Sequence, residues 1–305
     1  MSSGSKKIRV LYRSRPVQYP LLAAMRAARA WERAGLEVGD VPYVRGASKG
    51  DKMLADDEID VIFGSHVTPY LRYDEGVPFV YLGQAVNWCD DSVVSRKPIS
   101  SLDELRGMRL ADQTDDEHHP FGNHVLYLRR EGIGENDVAW LNVDEADAVH
   151  AVIDGRADVA IVSPPDDDVA REAGLAIYTP EPLPMVMATT VTTLWPKVAA
   201  DPDLFKRVLH AVRLGIAFFK DEPEQMRKVM AEDVAVELKI SSQSRLEKLY
   251  LRNVGVLERT LYPTAEAVHN AFLLAVRQRP ELADRISPMA LWDMHLLREL
   301  DAEPG

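Results

Sequence analysis

Two short stretches of this chain repeat one pattern of charged, apolar and small polar positions, about one hundred residues apart. The first, Glu58-Ile59-Asp60-Val61-Ile62-Phe63-Gly64-Ser65, runs into His66-Val67-Thr68-Pro69. The second, Gly155-Arg156-Ala157-Asp158-Val159-Ala160-Ile161-Val162-Ser163, runs into Pro164-Pro165. Each has a charged approach, an Asp, an unbroken apolar run, a small hydroxyl residue and a Pro-containing turn. An apolar run without alternation is the pattern of a parallel strand buried on both faces. Two such strands predict two α/β lobes, each offering a Ser-tipped turn. Ligands of open α/β sheets bind outside the carboxyl ends of strands. The expected site is therefore a cleft that both turns reach.

The same reading extends along the chain. Strands are expected at Ile8 to Tyr12, from Leu36, at Asp60 to Phe63, Phe79 to Leu82 and Ser92 to Ser95. Helical spacing covers Tyr19 to Ala34 and Lys49 to Asp57. Ser101 and Glu104 have the spacing of a capping box, with Gly107 as a helix stop. Strands at Arg109 to Ala111, Val138 to Leu141 and Asp158 to Val162 alternate with helices from Pro120 and over Asp144 to Ile153. Met185 to Thr193 is β-rich and is expected to rejoin the first lobe. Asp203 to Phe219, Glu222 to Asp233 and Ser242 to Gly255 are helical in period, and Pro288 after Ser287 is expected to start a last helix. The predicted lobes are residues 1–95 with 185–305, and residues 96–184.

At 305 residues, 46% hydrophobic and 28% charged, the chain has the length and composition of a two-domain globular protein. Its net charge of -12 disfavours nucleic acid, which needs a basic face. The single cysteine, Cys89, allows no internal disulfide, and Asp90 and Asp91 beside it make a poor nucleophile. No window has the length and apolarity of a membrane span. No apolar leader segment follows Lys6 and Lys7, so a cytoplasmic location is expected. Self-association is left open.

The stretch Pro98-Ile99 through Leu105-Arg106-Gly107, the run Gly155-Arg156-Ala157-Asp158-Val159-Ala160 and the discontinuous lobe order resemble the type II periplasmic-binding-protein superfamily. The resemblance is to the branch of sulfonate-, taurine- and nitrate-binding proteins and thiamine-precursor proteins. It implies a two-lobe α/β fold with a ligand cleft between the lobes and a helical C-terminal region packed on the first lobe. The branch also includes cytoplasmic enzymes of the 4,5-dihydroxyphthalate decarboxylase and sulfinate desulfinase type. Leu11-Tyr12-Arg13-Ser14-Arg15-Pro16-Val17 is similar to the desulfinase nucleophile turn, with Arg15 where that enzyme has its cysteine. Desulfination by that route is not expected, whereas Arg suits a carboxylate, to which it donates two parallel hydrogen bonds.

Arg13 and Arg15 in the first strand–helix turn are candidate anion ligands, though a solvated turn or a local ion pair would use the same residues. Ser65 and Ser163 close the two look-alike strands and are candidate substrate contacts. His66, next to Ser65, is a candidate proton donor because imidazole titrates near neutral pH; a packed loop histidine is the alternative. In Asp115-Asp116-Glu117-His118-His119-Pro120, His118 is a second candidate proton donor and His119 a candidate ligand contact at a helix mouth. The spacing matches no zinc motif, so neither metal nor cofactor is expected. Tyr19 and Asn87 are candidate contacts to an aromatic ligand, and both residue types also serve in packing.

Two functions follow. One is a cytoplasmic, cofactor-free decarboxylase of a small aromatic or heteroaromatic carboxylate, with Arg13 or Arg15 holding the substrate and His66 or His118 delivering the proton. The other is an importer's solute-binding protein for a small organic anion, such as a sulfonate or carboxylate.

Overall fold

The computed structural model describes residues 5–112, 122–144, 147–164, 166–186 and 189–303. Among the described residues are thirteen strands: β1 (Lys6–Ile8), β2 (Val10–Tyr12), β3 (Leu36–Val38), β4 (Val61–Phe63), β5 (Phe79–Gln84), β6 (Trp88–Cys89), β7 (Ser92–Ser95), β8 (Arg109–Asp112), β9 (Ala139–Asn142), β10 (Val159–Val162), β11 (Ala176–Tyr178), β12 (Leu183–Pro184) and β13 (Thr190–Leu194). The chain divides into two compact units, Met1–Trp88 with Pro184–Gly305, and Cys89–Leu183.

In the first unit β1 pairs in parallel with β3, and one residue later β2 pairs in parallel with β4. β13 is antiparallel to both β4 and β5. β1 and β3 form a two-stranded sheet, and the four-stranded ladder reads β2, β4, β13, β5. In the second unit β8 is parallel to β9 and to β10, and β7 is antiparallel to β10 and β11. That ladder reads β9, β8, β10, β7, β11. The two look-alike runs, β4 and β10, each lie between a parallel and an antiparallel neighbour. Each borders an antiparallel strand supplied from beside a crossover.

The Asp of each repeat has a structural task. Asp60 Oδ2 accepts from the backbone N and Nε of Arg9, both at 3.0 Å. Asp158 Oδ2 accepts from the same two atoms of Arg109, at 2.9 and 3.1 Å. In each case the Asp amide donates back to the arginine carbonyl, at 2.9 and 2.8 Å. Burial pushes the Asp60 carboxyl up, but Arg9 and Lys197 prevail and hold it at about 2. Arg109 holds Asp158 at about 2 as well. The repeated Asp thus locks the start of one strand to its parallel neighbour.

The first unit's core packs the sheet against helices Arg15–Ala27 and Pro202–Asp221 through Leu21, Met25, Phe63, Leu209 and Ile216. The second unit's core gathers Val94, Ala111, Val152, Ala160 and Val162.

Several expectations change. The chain enters the second unit at Cys89, not at residue 96, because β7 is the antiparallel strand of that unit's sheet. Helix Arg15–Ala27 starts four residues before Tyr19, since Pro16 fits its first turn, and a left-handed Arg29 separates it from Ala30–Arg33. No capping box forms at Ser101. Glu104 Oε1 instead accepts from the amide and hydroxyl of Ser100, and Leu102–Leu105 is a short 3₁₀ turn. Pro288 starts no helix. Residues 288–291 form turns instead, and Leu291 and Asp293 hydrogen-bond the backbone of Tyr81 in β5 before helix His295–Ala302 begins.

Candidate functional site

In the first unit Tyr12 of β2 and Phe63 of β4 are register partners, so Arg13 and the Gly64–Ser65 turn leave the same end of the sheet side by side. Gln18 shapes the first turn: its Oε1 accepts from the amides of Arg13 at 2.6 Å and Ser14 at 3.0 Å. The second turn uses left-handed backbone at Gly64 (φ 119°) and at Ser65 (φ 58°). A non-glycine residue there carries a cost of roughly 1–2 kcal/mol. The turn buries Ser65, whose Oγ accepts from Arg13 Nη1 at 2.9 Å.

Arg13 is half-buried, and among the described residues no carboxylate lies within ion-pair distance of it. Its Nε is sealed from solvent without a hydrogen-bond partner. Burial lowers its pKa, with Asp51 and Tyr43 opposing. The neighbouring His66 side chain is half-buried, yet its Nδ1 is also sealed and unpartnered. Burial, reinforced by the charge of Arg13, lowers His66 to about 4, so its ring is neutral at neutral pH.

The other first-unit candidates have structural partners. Arg15 Nε lies 3.2 Å from Glu237 Oε1, and its guanidinium sits 4.5 Å from the centre of the Tyr43 ring. Tyr19 donates to Asp233 Oδ1 at 2.7 Å, and burial with that hydrogen bond raises its pKa to about 12. Arg26 Nη2 reaches the other oxygen of Asp233 at 2.7 Å. Asn87 is buried; it donates to the Tyr262 carbonyl at 3.0 Å and accepts from the Thr264 amide at 3.2 Å.

In the second unit Ser163 follows β10 and donates to Asp91 Oδ1 at 2.6 Å, so its hydroxyl proton is already committed. Asp91 is buried; its Oδ2 accepts from Cys89 Sγ at 2.7 Å and Asn123 Nδ2 at 3.3 Å. Burial and Asp91 push the Cys89 thiol well above its ordinary value. His124 Nδ1 lies 3.0 Å from Asp112 Oδ2, and its Nε2 lies 3.7 Å from Asp91 Oδ2. The histidine-rich run after Asp112 extends to Asn123 and His124 and stands out in the sequence, but its meeting with Asp91 and Asp112 does not. His118 and His119 lie outside the described residues. Among the described residues no cluster of three His, Cys, Asp or Glu side chains could hold a metal ion.

The structure thus brings Arg13, Ser65 and His66 together in one unit. It sets Arg15, Tyr19 and Asn87 into separate contacts, and ties Ser163 to an acidic network.

Residues 30–226 match the family described as NMT1/THI5 like. No curated protein sequence matches the chain. Among solved structures, the periplasmic aliphatic sulphonate binding protein SsuA from Escherichia coli aligns with a TM-score of 0.72 at 16% identity, over 95% of this chain and 92% of that one. The periplasmic sulfonate-binding protein SsuA from Methylobacillus flagellatus KT aligns with a TM-score of 0.70 at 16% identity, over 98% and 96%. A mutant DszB in complex with biphenyl-2-sulfinic acid aligns with a TM-score of 0.63 at 14% identity, over 98% and 100%. The fold is that of the two-lobe periplasmic binding proteins.

Proposed function

The chain belongs to the NMT1/THI5-like family, and from that premise we propose that it binds a small organic anion, a sulfonate or carboxylate, as a solute-binding protein does. One observation carries the reading: Arg13 is a half-buried cation at the carboxyl ends of two parallel strands, without a carboxylate partner among the described residues. Asp51 acts on it only from beyond ion-pair distance, and a half-buried cation so weakly compensated is stabilised by an anion. The hydroxyl of Ser65 holds the guanidinium in place. The sulfonate-binding proteins that share the fold support the choice of ligand class.

The test is calorimetric titration of the full chain with methanesulfonate and benzoate. Arg13→Gln should weaken binding by roughly tenfold to a hundredfold, the equivalent of losing a charged hydrogen bond of about 1.5–3 kcal/mol. Unchanged affinity in a folded variant would remove Arg13 from the site.

A second reading, a cofactor-free decarboxylase of an aromatic carboxylate, rests on His66 standing beside Arg13. A ring that is neutral near pH 7 suits a hydrogen-bonding ligand group better than a resident acid. Carbon dioxide release from an aromatic carboxylate panel, abolished by His66→Gln, would favour the enzyme.

A further inference from the structure

Asp51, on helix Ala47–Ala55, is a fully buried carboxyl group beside the Arg13 turn. Thr68 Oγ1 donates to its Oδ2, and Ser65 also favours its charged form, but Oδ1 lacks a partner of proper hydrogen-bond geometry. Arginines, a tyrosine and a histidine surround it. Arg13 follows β2, and Arg72 follows helix Thr68–Leu71 and pairs with Glu75 at 2.7 Å. Tyr81 projects from β5, with its hydroxyl buried and unpartnered beside Tyr70. His66 interacts with the same Arg13. Four buried polar atoms in this group therefore have no partner: Arg13 Nε, Asp51 Oδ1, His66 Nδ1 and Tyr81 Oη. Such atoms are rare in folded proteins and mark places where polar balance is completed from outside or by a proton.

We infer that anion binding at Arg13 is coupled to uptake of one proton from solvent by Asp51. This inference rests on the proposed anion site. Without ligand, Arg13, although beyond ion-pair distance, favours the charged form of Asp51 together with Arg72. A bound anion claims that cation, leaving two negative groups to share it. Like charges around one site cannot both stay ionised without cost, and the one already buried takes the proton. Burial already pushes the Asp51 carboxyl upward, against the pull of Ser65, Thr68, Arg13 and Arg72. A protonated Asp51 also gains an O–H that can serve an unpartnered neighbour. Anions should therefore bind more tightly as the pH falls. Asp51 acts through Arg13 and need not touch the ligand, so it is a positioning residue.

The experiment is calorimetric titration of the full chain with methanesulfonate and with benzoate, from pH 5 to pH 8, in buffers of different ionisation enthalpy. Linkage predicts up to one proton taken up per anion and up to about tenfold in Kd per pH unit. Asp51→Asn should abolish both dependences, while His66→Gln should retain them. Binding that is independent of pH and buffer overturns the coupling alone, as does proton uptake that survives in Asp51→Asn. Absence of binding by either anion overturns the anion-site reading and the coupling with it. Should Asp51→Asn fail to fold, the wild-type Asp51 carboxyl carbon can be followed by NMR. Its titration midpoint must rise on adding methanesulfonate, and a stationary midpoint overturns the inference.

Discussion

His66 should make the protein acid-sensitive well above the range in which carboxylates titrate. Its ring is lowered from 6.5 to about 4 by burial and by Arg13, so the folded state resists the proton that the unfolded chain accepts. A depressed histidine contributes stability that is present above 6.5 and is lost as the pH falls toward 4. With those two values, linkage gives a loss of about 1 kcal/mol at pH 6, about 2 at pH 5 and about 3 at pH 4, relative to pH 8. His66→Gln keeps a polar side chain but cannot titrate. Urea unfolding of both proteins between pH 5 and pH 8 isolates the term, because other titrating groups are common to both. The wild-type minus variant stability should fall by about 2 kcal/mol from pH 8 to pH 5. A difference flat within about 0.5 kcal/mol would refute the reasoning, since that is the scatter expected for independent sites. So would a ring-proton NMR midpoint at or above 6.5, the unperturbed value.

Arg15 is held by Glu237 and stacked on Tyr43. Arg15→Ala should change anion affinity by no more than about twofold and stability by no more than about 1 kcal/mol, as for an exposed pair, by calorimetry and urea unfolding. Asp60 is held at about 2 by Arg9 and Lys197, so Asp60→Asn should destabilise the fold by about 2 kcal/mol at pH 7. This gap should close as the pH falls from 3.8 through 2, because the depressed carboxyl's advantage is lost on protonation. The Cys89 thiol should react with an aromatic disulfide reagent at pH 8 at least about 100-fold more slowly in the folded protein than in urea, because it is buried and raised by Asp91.

The sheets were legible because their signals are local. β4 and β10 are unbroken apolar runs that end in small polar turns, and each lies between a parallel and an antiparallel neighbour. The Asp that opens each run was visible as a repeated letter. Its task was not, since Arg9 is 51 residues from Asp60 and Arg109 is 49 from Asp158. The first lobe boundary was misjudged for a related reason. Ser92 to Ser95 reads as a strand from its own residues, but the sheet that receives it depends on β10 and β11 much later in the chain. The segment after Ser287 has helical start signals, yet its backbone pairs with Tyr81, about two hundred residues earlier. Local propensity loses to such a partner.

At the candidate site, position was readable and identity was not. The ends of β2 and β4 could be placed from the apolar pattern, so the Arg13 turn and Ser65 could be expected together. Nothing local separates Arg13 from Arg15, which flank Ser14 and share one side-chain chemistry. Acids more than two hundred residues further on separate them. A π-helical turn, Met230–Val234, carries Asp233 to Tyr19 and Arg26, and the short helix Ala235–Glu237 carries Glu237 to Arg15. The cations of helix Arg15–Ala27 are thereby matched from the C-terminal region, whereas Arg13, two residues before it, has no carboxylate within ion-pair distance among the described residues. Its availability follows from the placing of these acids rather than from any property of residue 13. Ser65 accepts from a cation, while its counterpart Ser163 donates to Asp91, so two similar strand tips present opposite polarity. Under the proposed reading, anion capture falls to the first unit's turn. The second unit's tip, ringed by Asp91 and Asp112, suits a hydrogen-bond donor.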